Sequence, residues 1–106
     1  MERVVHLKRA PYDVRIDRAT RWGNPYTHRE DVYQKGYTTL VASREEAIEA
    51  YRNFLWREIK QYPDTIKELA ALDGKVLGCW CKPKACHGDV LVRAARWAVE
   101  ELKKEA

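Results

Sequence analysis

A chain of 106 residues has the size of one ordinary domain, and 45% hydrophobic residues can fill one core, so the sequence predicts a single domain over residues 1–106. Charged residues make up 34% of the chain, and no apolar run approaches the roughly 18 residues of a transmembrane helix. The net charge of +4 is compatible with anionic partners but does not by itself indicate nucleic-acid binding.

The amino terminus and the cysteines bear on the cellular compartment. Residues 1–7 lack the apolar stretch of a signal peptide, and the 3 cysteines are an odd number, which does not fit a disulfide framework. We therefore expect a cytoplasmic protein with no membrane partner. The heavy use of Glu, Lys and Arg, with 1 Met, also fits a thermophilic source.

The first half of the chain predicts two short strands followed by a long irregular segment. Runs of β-branched residues at 4–7 and 13–17 are typical of strands, and Pro11 between them requires a turned or extended backbone. From Arg18 to Ala42, glycine and proline interrupt any periodicity. We expect a functional loop there that contains a short strand or a turn of helix.

The second half predicts three helices and one strand. Ser43 and Glu46 form a capping box ahead of a helix over residues 44–61. The remaining elements are a shorter helix from Pro63 to Leu72 ended by Gly74, a strand over residues 75–80, and a helix over residues 87–104. This order predicts an α/β fold with Rossmann-like layering, in which helices pack on a small mixed or parallel sheet of about three to four strands. A right-handed crossover would place the last strand beside an early one, and the turn after it at the carboxyl edge of the sheet.

The turn before the last helix, CWCKPKACHG, concentrates reactive residues. Cys86 adjoins the helix amino terminus, where unpaired N–H groups and the helix dipole stabilise a thiolate or bind an anion. Cys86 is therefore a candidate nucleophile of lowered pKa, with His87 as a neighbouring acid or base. Cys81 and Gly88 are candidate ligand contacts in the same turn. Free cysteines are often simply core residues, and packing remains an alternative for Cys86.

A zinc site is an alternative interpretation of the CWCKPKACHG turn. Four residues offer ligand atoms that zinc accepts: Cys79, Cys81, Cys86 and His87. Their spacing lacks the paired C-x₂-C or H-x₃-H pattern, and Cys86 and His87 would diverge by roughly 100° if both were helical. The sequence therefore favours no metal or other cofactor and keeps zinc as the alternative.

The segment that ends in WGNPY is suited to recognising an anion. Arg9, Arg18 and Arg21 offer guanidinium groups for phosphate, while Trp22 or Tyr26 can stack on a base. Asn24 can read a polar edge, and Gly23 with Pro25 can fix an unusual backbone. In the alternative interpretation, Trp22 anchors the core, Asn24 and Pro25 form a turn, and the arginines are solvated.

Taken in order, these segments resemble a bacterial and phage family catalogued as domain of unknown function 4326. The resemblance is to three patterns that occur in this order in the family: R-x-x-P-x-D-V-x-I-x-R, W-G-N-P-[FY] and G-K-x-L-x-C-W-C-x-P-x-x-C-H-x-D-V-L. The counterparts here are Arg9, Pro11 (one place early), Asp13, Val14, Ile16, Arg18, Trp22–Tyr26, Gly74–Leu77, Cys79–Cys81, Pro83, Cys86, His87 and Asp89–Leu91. Asp17 stands where the family usually has glycine. The resemblance covers nearly the whole chain, adds Asp13 to the candidate ligand contacts, and implies no particular reaction.

These observations favour one pocket in which the arginine-rich segment meets Cys86 and His87. The expected ligand is a nucleotide or another phosphorylated small molecule, and any reaction would be transfer or hydrolysis at that ligand. One alternative is a nucleic-acid-binding accessory module, in which Lys and Arg engage phosphates and an aromatic ring stacks on a base. The other alternative is a zinc-stabilised structural domain.

Overall fold

The computed structural model describes residues 3–82 and 84–105, so Pro83 of the family pattern lies outside the described residues. In chain order the elements are β1 (Val4–His6), β2 (Val14–Arg15), β3 (Tyr26–Thr27), β4 (Thr39–Leu40), α1 (Arg44–Gln61), α2 (Thr65–Ala70), β5 (Leu77–Cys79) and α3 (His87–Glu105). None of the helices described has the length and apolar character needed to cross a membrane.

The main sheet is parallel and has the order β1-β5-β2. Leu77 of β5 pairs with Val4 on one side and with Val14 on the other, so β5 is the central strand. All of β5 is buried, as the central strand of a parallel sheet covered by helices should be. The predicted α/β class and the small sheet are confirmed, and so is the placement of the last strand beside an early one.

Helix α1 has the predicted bounds because its start is specified locally. The Oγ atom of Ser43 accepts a hydrogen bond from the backbone N–H of Glu46 at 3.1 Å. The Glu46 carboxylate in turn accepts one from the N–H of Ala42 at 2.9 Å, one residue before the N-cap. Four residues at helical spacing form its buried face: Ala47, Tyr51, Leu55 and Ile59. This face packs against the hydrophobic core.

Helices α2 and α3 complete the core. Helix α2 is shorter than predicted, and Gly74 follows it in the left-handed region at a φ of 81°. Leu69 of α2 is fully buried against α3, whose buried stripe includes Leu91, Ala95 and Ala98. Apart from Thr65 of α2 and His87 at the start of α3, the buried residues of these two helices are apolar or glycine.

The long segment between Arg18 and Ala42 contains a second small sheet. Strands β3 and β4 pair in parallel, with Tyr26 opposite Thr39. The sequence predicts one short strand or helical turn here, and the partner strand depends on a contact between residues thirteen apart. The pair holds this segment against α1 and so forms one side of the cavity described next.

Candidate functional site

A cavity of about 660 Å³ opens where the strands of the main sheet end. His6 and Cys79, the last residues of β1 and β5, lie in its wall, together with Asp17 just after β2. The turn between β5 and α3, the beginning of α1 and parts of residues 17–32 form the other sides. Ligands of open α/β sheets bind in such crevices at the carboxyl ends of the strands.

Basic side chains dominate the charge of the cavity. Its lining includes six lysine and arginine residues, namely Arg9, Arg18, Arg29, Arg44, Lys82 and Lys84. Asp17 is the one carboxylate among the described lining residues. Arg29 pairs with Asp31 at 2.6 Å. Lys82 pairs with Asp89 at 3.1 Å. The other four cations have no carboxylate partner in the described part of the chain, so an anionic ligand would meet little competition.

Arg44 links α1 to the turn between β5 and α3, and sequence reasoning missed it. It is the first residue of α1, where the helix dipole favours acids such as Glu45 over a cation. Its guanidinium donates a hydrogen bond to the carbonyl oxygen of Ala85 at 3.1 Å. An arginine at the unfavourable end of a helix was the sequence signal that could have identified it.

Trp80 is the exposed aromatic residue of the cavity, and it was also missed. Its side chain is 48% exposed, although it directly follows the buried Cys79. The indole N–H donates to the Oδ2 atom of Asp17 at 3.0 Å, and the ring meets His6 edge to face at 5.7 Å between centroids. Neighbouring residues at the end of a strand point to opposite faces, and this alternation was the available signal.

Asp17 joins β2 to the indole. Burial by itself would raise the pKa of its carboxyl, but hydrogen bonds from Arg15, at 2.6 Å, and from Trp80 outweigh burial and lower it. Its backbone carbonyl accepts hydrogen bonds from the N–H and the hydroxyl of Thr20, both at 2.9 Å. Asp17 therefore supplies an ionised carboxylate that fixes the orientation of Trp80.

The WGNPY segment turns inward. Trp22 is 9% exposed, and its carbonyl accepts a hydrogen bond from the hydroxyl of Tyr51 at 2.9 Å. Asn24 is buried, donates to the carbonyl of Ala47 at 3.1 Å and accepts from the N–H of Tyr26 at 2.9 Å. Asn24 lies in the cavity wall, but these bonds occupy both ends of its amide. The segment therefore anchors the loop more than it presents polar groups to a ligand.

Gly23 and Gly88 lie where neighbouring segments pack too closely for a side chain. A Cβ atom on Gly23 would lie 2.5 Å from the Cα atom of Arg18, which is a backbone clash. A Cβ atom on Gly88 would lie 2.7 Å from the Cδ1 atom of Ile16 and 2.8 Å from the Cγ1 atom of Val4. Both glycines thus let two segments approach each other beside the cavity.

The structure brings together some of the residues predicted to share a pocket and separates others. The predicted ligand contacts and catalytic residues that line the cavity are Arg9, Arg18, Asn24, Cys81, Cys86 and His87. Asp13 is not among them, because its carboxylate accepts a hydrogen bond from the N–H of Val76 at 2.8 Å. Arg21 is directed elsewhere: it pairs with Glu68 and lies over the ring of Trp22, 4.7 Å from its centroid.

The three cysteines form one cluster in the cavity wall. Their sulfur atoms all lie within 4.8 Å of one another, and those of Cys79 and Cys86 are 3.0 Å apart. Cys79 and Cys86 are buried, whereas Cys81 is half-buried. The sulfur of Cys86 also accepts a hydrogen bond from the N–H of Gly88 at 3.3 Å, so Cys86 caps α3 as the sequence predicts.

The thiol with the lowered pKa is Cys81, not Cys86. Hydrogen bonds from Cys79 and Cys86 hold the pKa of Cys81 below its ordinary value. The same contacts, with Cys79 first and burial added, raise the pKa of Cys86. The direction is therefore opposite to the expected lowering of the pKa of Cys86, because the hydrogen bonds with Cys79 and Cys81, together with burial, favour its protonated thiol.

His87 lies beside the cysteines with one defined tautomer. Its Nε2 atom is 2.7 Å from the carbonyl oxygen of Ile16, so Nε2 carries the proton and donates it. Burial lowers the pKa of His87, which favours the neutral ring. Its Nδ1 atom, 3.6 Å from the sulfur of Cys86, then holds a lone pair. The roughly 100° divergence expected for two helical residues does not apply, because Cys86 precedes α3. The ligand atoms that all lie within 4.8 Å of one another are nevertheless those of the three cysteines, without His87.

Comparisons with known proteins agree with the resemblance seen in the sequence. The model of a family described as "Domain of unknown function (DUF4326)" matches residues 2–97, a range that includes both signature segments. One relative, from Enterobacteria phage T4, is called "Uncharacterized 12.4 kDa protein in nrdA-td intergenic region". It is 40% identical over 89 residues, which cover 84% of this chain and 72% of the phage protein. No solved structure matches the chain.

Proposed function

This chain belongs to the family described as "Domain of unknown function (DUF4326)", and from the chemistry of its cavity we propose that it binds a nucleotide or a similar phosphorylated small molecule. The observation that carries the proposal is the excess of cations over carboxylates in one crevice at the carboxyl edge of the sheet. The volume of about 660 Å³ lies within the range of roughly 300–1,000 Å³ common for small-molecule sites.

Three arginines from separate elements support binding of a phosphate group. Arg9 follows β1, Arg18 follows β2 and Arg44 begins α1, and all three line the cavity. Arg18 and Arg44 each donate to one backbone carbonyl, at 2.9 and 3.1 Å, which orients the guanidinium and leaves other N–H groups for a ligand. Guanidinium groups suit phosphate because they bind two oxygens at once.

Trp80 is the surface that we assign to the base. Its ring is half-exposed, lies in the cavity wall and is held by the hydrogen bond to Asp17. A base stacked on an aromatic side chain gains about 1–3 kcal/mol. The assignment replaces Trp22, which is buried, while Tyr26 keeps a place in the cavity lining.

Catalysis is a separate, finer proposal. Turnover of the ligand would be a transfer or a hydrolysis, and a thiol acting on it would have to reach it. Cys81 is the half-buried thiol, whereas Cys86 and His87 are only 1% and 5% exposed. We therefore assign any direct thiol contact to Cys81, with Cys86 and His87 holding the turn in position.

The binding proposal is tested by measuring the binding of adenosine monophosphate, unphosphorylated adenosine and inorganic phosphate with calorimetry and thermal-shift assays. We expect saturable binding of the monophosphate, and weaker binding of adenosine because the cations then lack a partner. Arg44→Gln should weaken monophosphate binding roughly 10-fold or more, since a charged hydrogen bond contributes about 1.5–3 kcal/mol.

Arg52→Gln is the matched control. It lies on the same helix, two turns after Arg44, and lines a different groove. Both variants lower the net charge from +4 to +3, because each removes one positive charge. Equal losses in the two variants, or no binding by any common 5′-mononucleotide, would overturn the proposal. Tighter binding of an oligonucleotide that falls steeply with salt would favour the nucleic-acid module instead.

A further inference from the structure

The cysteine cluster has a composition and spacing that the binding proposal does not use. The three sulfur atoms converge from β5, the turn after it and the residue that caps α3. The protein contains 3 cysteines in all, so its whole thiol content lies at one point. Core packing does not require such convergence, because a buried thiol packs equally well among apolar side chains.

The distances suit a tetrahedral ion. Zinc binds thiolate at about 2.3 Å, which places two ligand sulfurs about 3.8 Å apart in a tetrahedron. The sulfurs of Cys79 and Cys86 are 3.0 Å apart, and no pair in the cluster exceeds 4.8 Å. The tetrahedral value is therefore longer than the Cys79–Cys86 separation and lies below the 4.8 Å limit that all three pairs meet. The sulfur separations also exceed the roughly 2.05 Å of a disulfide bond, so the thiols are free.

His87 is the candidate for the fourth ligand. Its ring nitrogens are not within 4.8 Å of all three sulfurs, so its ring or the sulfurs of Cys79 and Cys81 would have to move toward a shared ion. For zinc bonds of about 2.3 Å to sulfur and 2.0–2.1 Å to nitrogen, tetrahedral geometry separates sulfur and nitrogen by about 3.6 Å. The Nδ1 atom of His87 lies 3.6 Å from the sulfur of Cys86. Its other nitrogen donates to the carbonyl of Ile16, which is the arrangement that orients metal-binding histidines in proteins.

We propose that Cys79, Cys81, Cys86 and His87 bind one zinc ion, which joins the end of β5 to the beginning of α3 in the wall of the cavity. A site with three cysteines and one histidine is a closed, structural type. Zinc would engage the sulfur of Cys81, so the ion and a nucleophilic Cys81 exclude each other. The proposal does not rest on nucleotide binding, and either can fail without the other.

The first test measures the metal in the purified full-length protein. Elemental analysis and native mass spectrometry should find one zinc per chain. Replacement of zinc by cobalt(II) should produce a thiolate-to-cobalt charge-transfer band in the near ultraviolet and intense visible bands of a tetrahedral ion. Zinc should also protect all three cysteines from alkylation, and a chelator should remove that protection.

Variants then identify the ligands. Cys81→Ser is the thiol variant of choice because Cys81 is half-buried, and it should retain about two-thirds of the charge-transfer intensity, with two of three sulfurs left. His87→Gln should weaken zinc binding at least as much as the roughly 10- to 100-fold cost of losing an outer-shell partner. His28→Gln, at the half-buried histidine in the same cavity, is the matched control and should bind normally.

Several results would overturn the proposal. One is that the purified protein contains no zinc and also develops no charge-transfer band with cobalt(II). Another is that the zinc-loaded protein still has all three thiols accessible to alkylation. A cobalt spectrum that is identical in His87→Gln and in the unchanged protein would remove His87 from the ligand set. Because native mass spectrometry and alkylation use the unchanged chain, the proposal stays testable even if a variant fails to fold.

Discussion

The WGNPY segment and the turn between β5 and α3 are equally rich in unusual residues, but they use them differently. Trp22 and Asn24 are buried and direct their polar groups to the chain itself. In the turn, Trp80 is half-exposed, and Cys81 and Lys84 line the cavity. The first segment therefore acts as a scaffold, and the second supplies the chemistry.

This difference shows that residue type does not by itself separate a ligand contact from an anchor. Trp22 is 9% exposed and Trp80 is 48% exposed, yet both appear in the sequence simply as tryptophan. What separates Trp22 from Trp80 is the element behind each: Trp22 packs under α1, whereas Trp80 stands at the end of the central strand. Substitutions in the two segments should consequently affect different measurements.

The largest expected effect is on stability, from Trp22→Ala. Removal of a buried tryptophan costs roughly 3–5 kcal/mol in the free energy of unfolding. The counterpart Trp80→Ala should cost much less stability, because half of that ring is already in water. It should instead weaken binding of adenosine monophosphate roughly 10-fold or more through lost stacking. Urea unfolding and calorimetry measure the two effects, and a larger stability loss for Trp80→Ala would erase the contrast.

Gly23→Ala should be the next most damaging change. The added Cβ atom meets the backbone of Arg18, which cannot move aside as a side chain can, so we expect a loss of about 1–3 kcal/mol. Gly88→Ala meets only side-chain methyl groups of Ile16 and Val4 and gains helix propensity, so its loss should be smaller. Urea unfolding of the two variants side by side checks this order, and the reverse order would contradict the scaffold interpretation.

Local signals were predictable from the sequence and long-range partners were not. The bounds of α1 follow from Ser43 and Glu46, which are in contact along the chain. The meeting of strand ends followed from the order of elements, and it located Cys86 and His87 at the edge of the sheet. Arg21 pairs with Glu68, which is 47 residues away, and the residues near Arg21 in the sequence do not predict this partner.

The cysteine geometry was the other limit of sequence reasoning. The predicted start of the last helix at residue 87 already places Cys86 outside it, and α3 begins there. The distance of 3.6 Å between the sulfur of Cys86 and the Nδ1 atom of His87 depends on side-chain orientation, which the sequence does not specify. The lowered pKa of Cys81 likewise depends on the approach of Cys79 and Cys86 in space.

Asp17 gives a smaller effect that depends on pH. Its folded-state pKa is lowered, so the ionised carboxylate stabilises the protein above the unfolded value of about 3.9, and this contribution is lost as the pH falls through the folded pKa. We expect a contribution of roughly 1 kcal/mol or less, because Arg15 is half-exposed. Asp17→Asn should therefore lose less stability than the unchanged protein between neutral pH and about pH 3. Equal acid sensitivity, measured by urea unfolding at each pH, would assign the loss to other carboxylates.

The smallest effect is expected from Arg21→Gln, and it tests the boundary between the two regions. Arg21 and Glu68 are both nearly half-exposed, so their ion pair contributes about 0–1 kcal/mol to stability. Because Arg21 lies over Trp22 and outside the cavity lining, its loss should leave binding of adenosine monophosphate unchanged, whereas Arg44→Gln weakens it. Both substitutions lower the net charge equally, so general attraction of the anion cannot produce a difference between them. A matching loss of affinity in Arg21→Gln would mean that the scaffold segment itself reaches the ligand, because only a change in the loop could then bring that guanidinium to the phosphate.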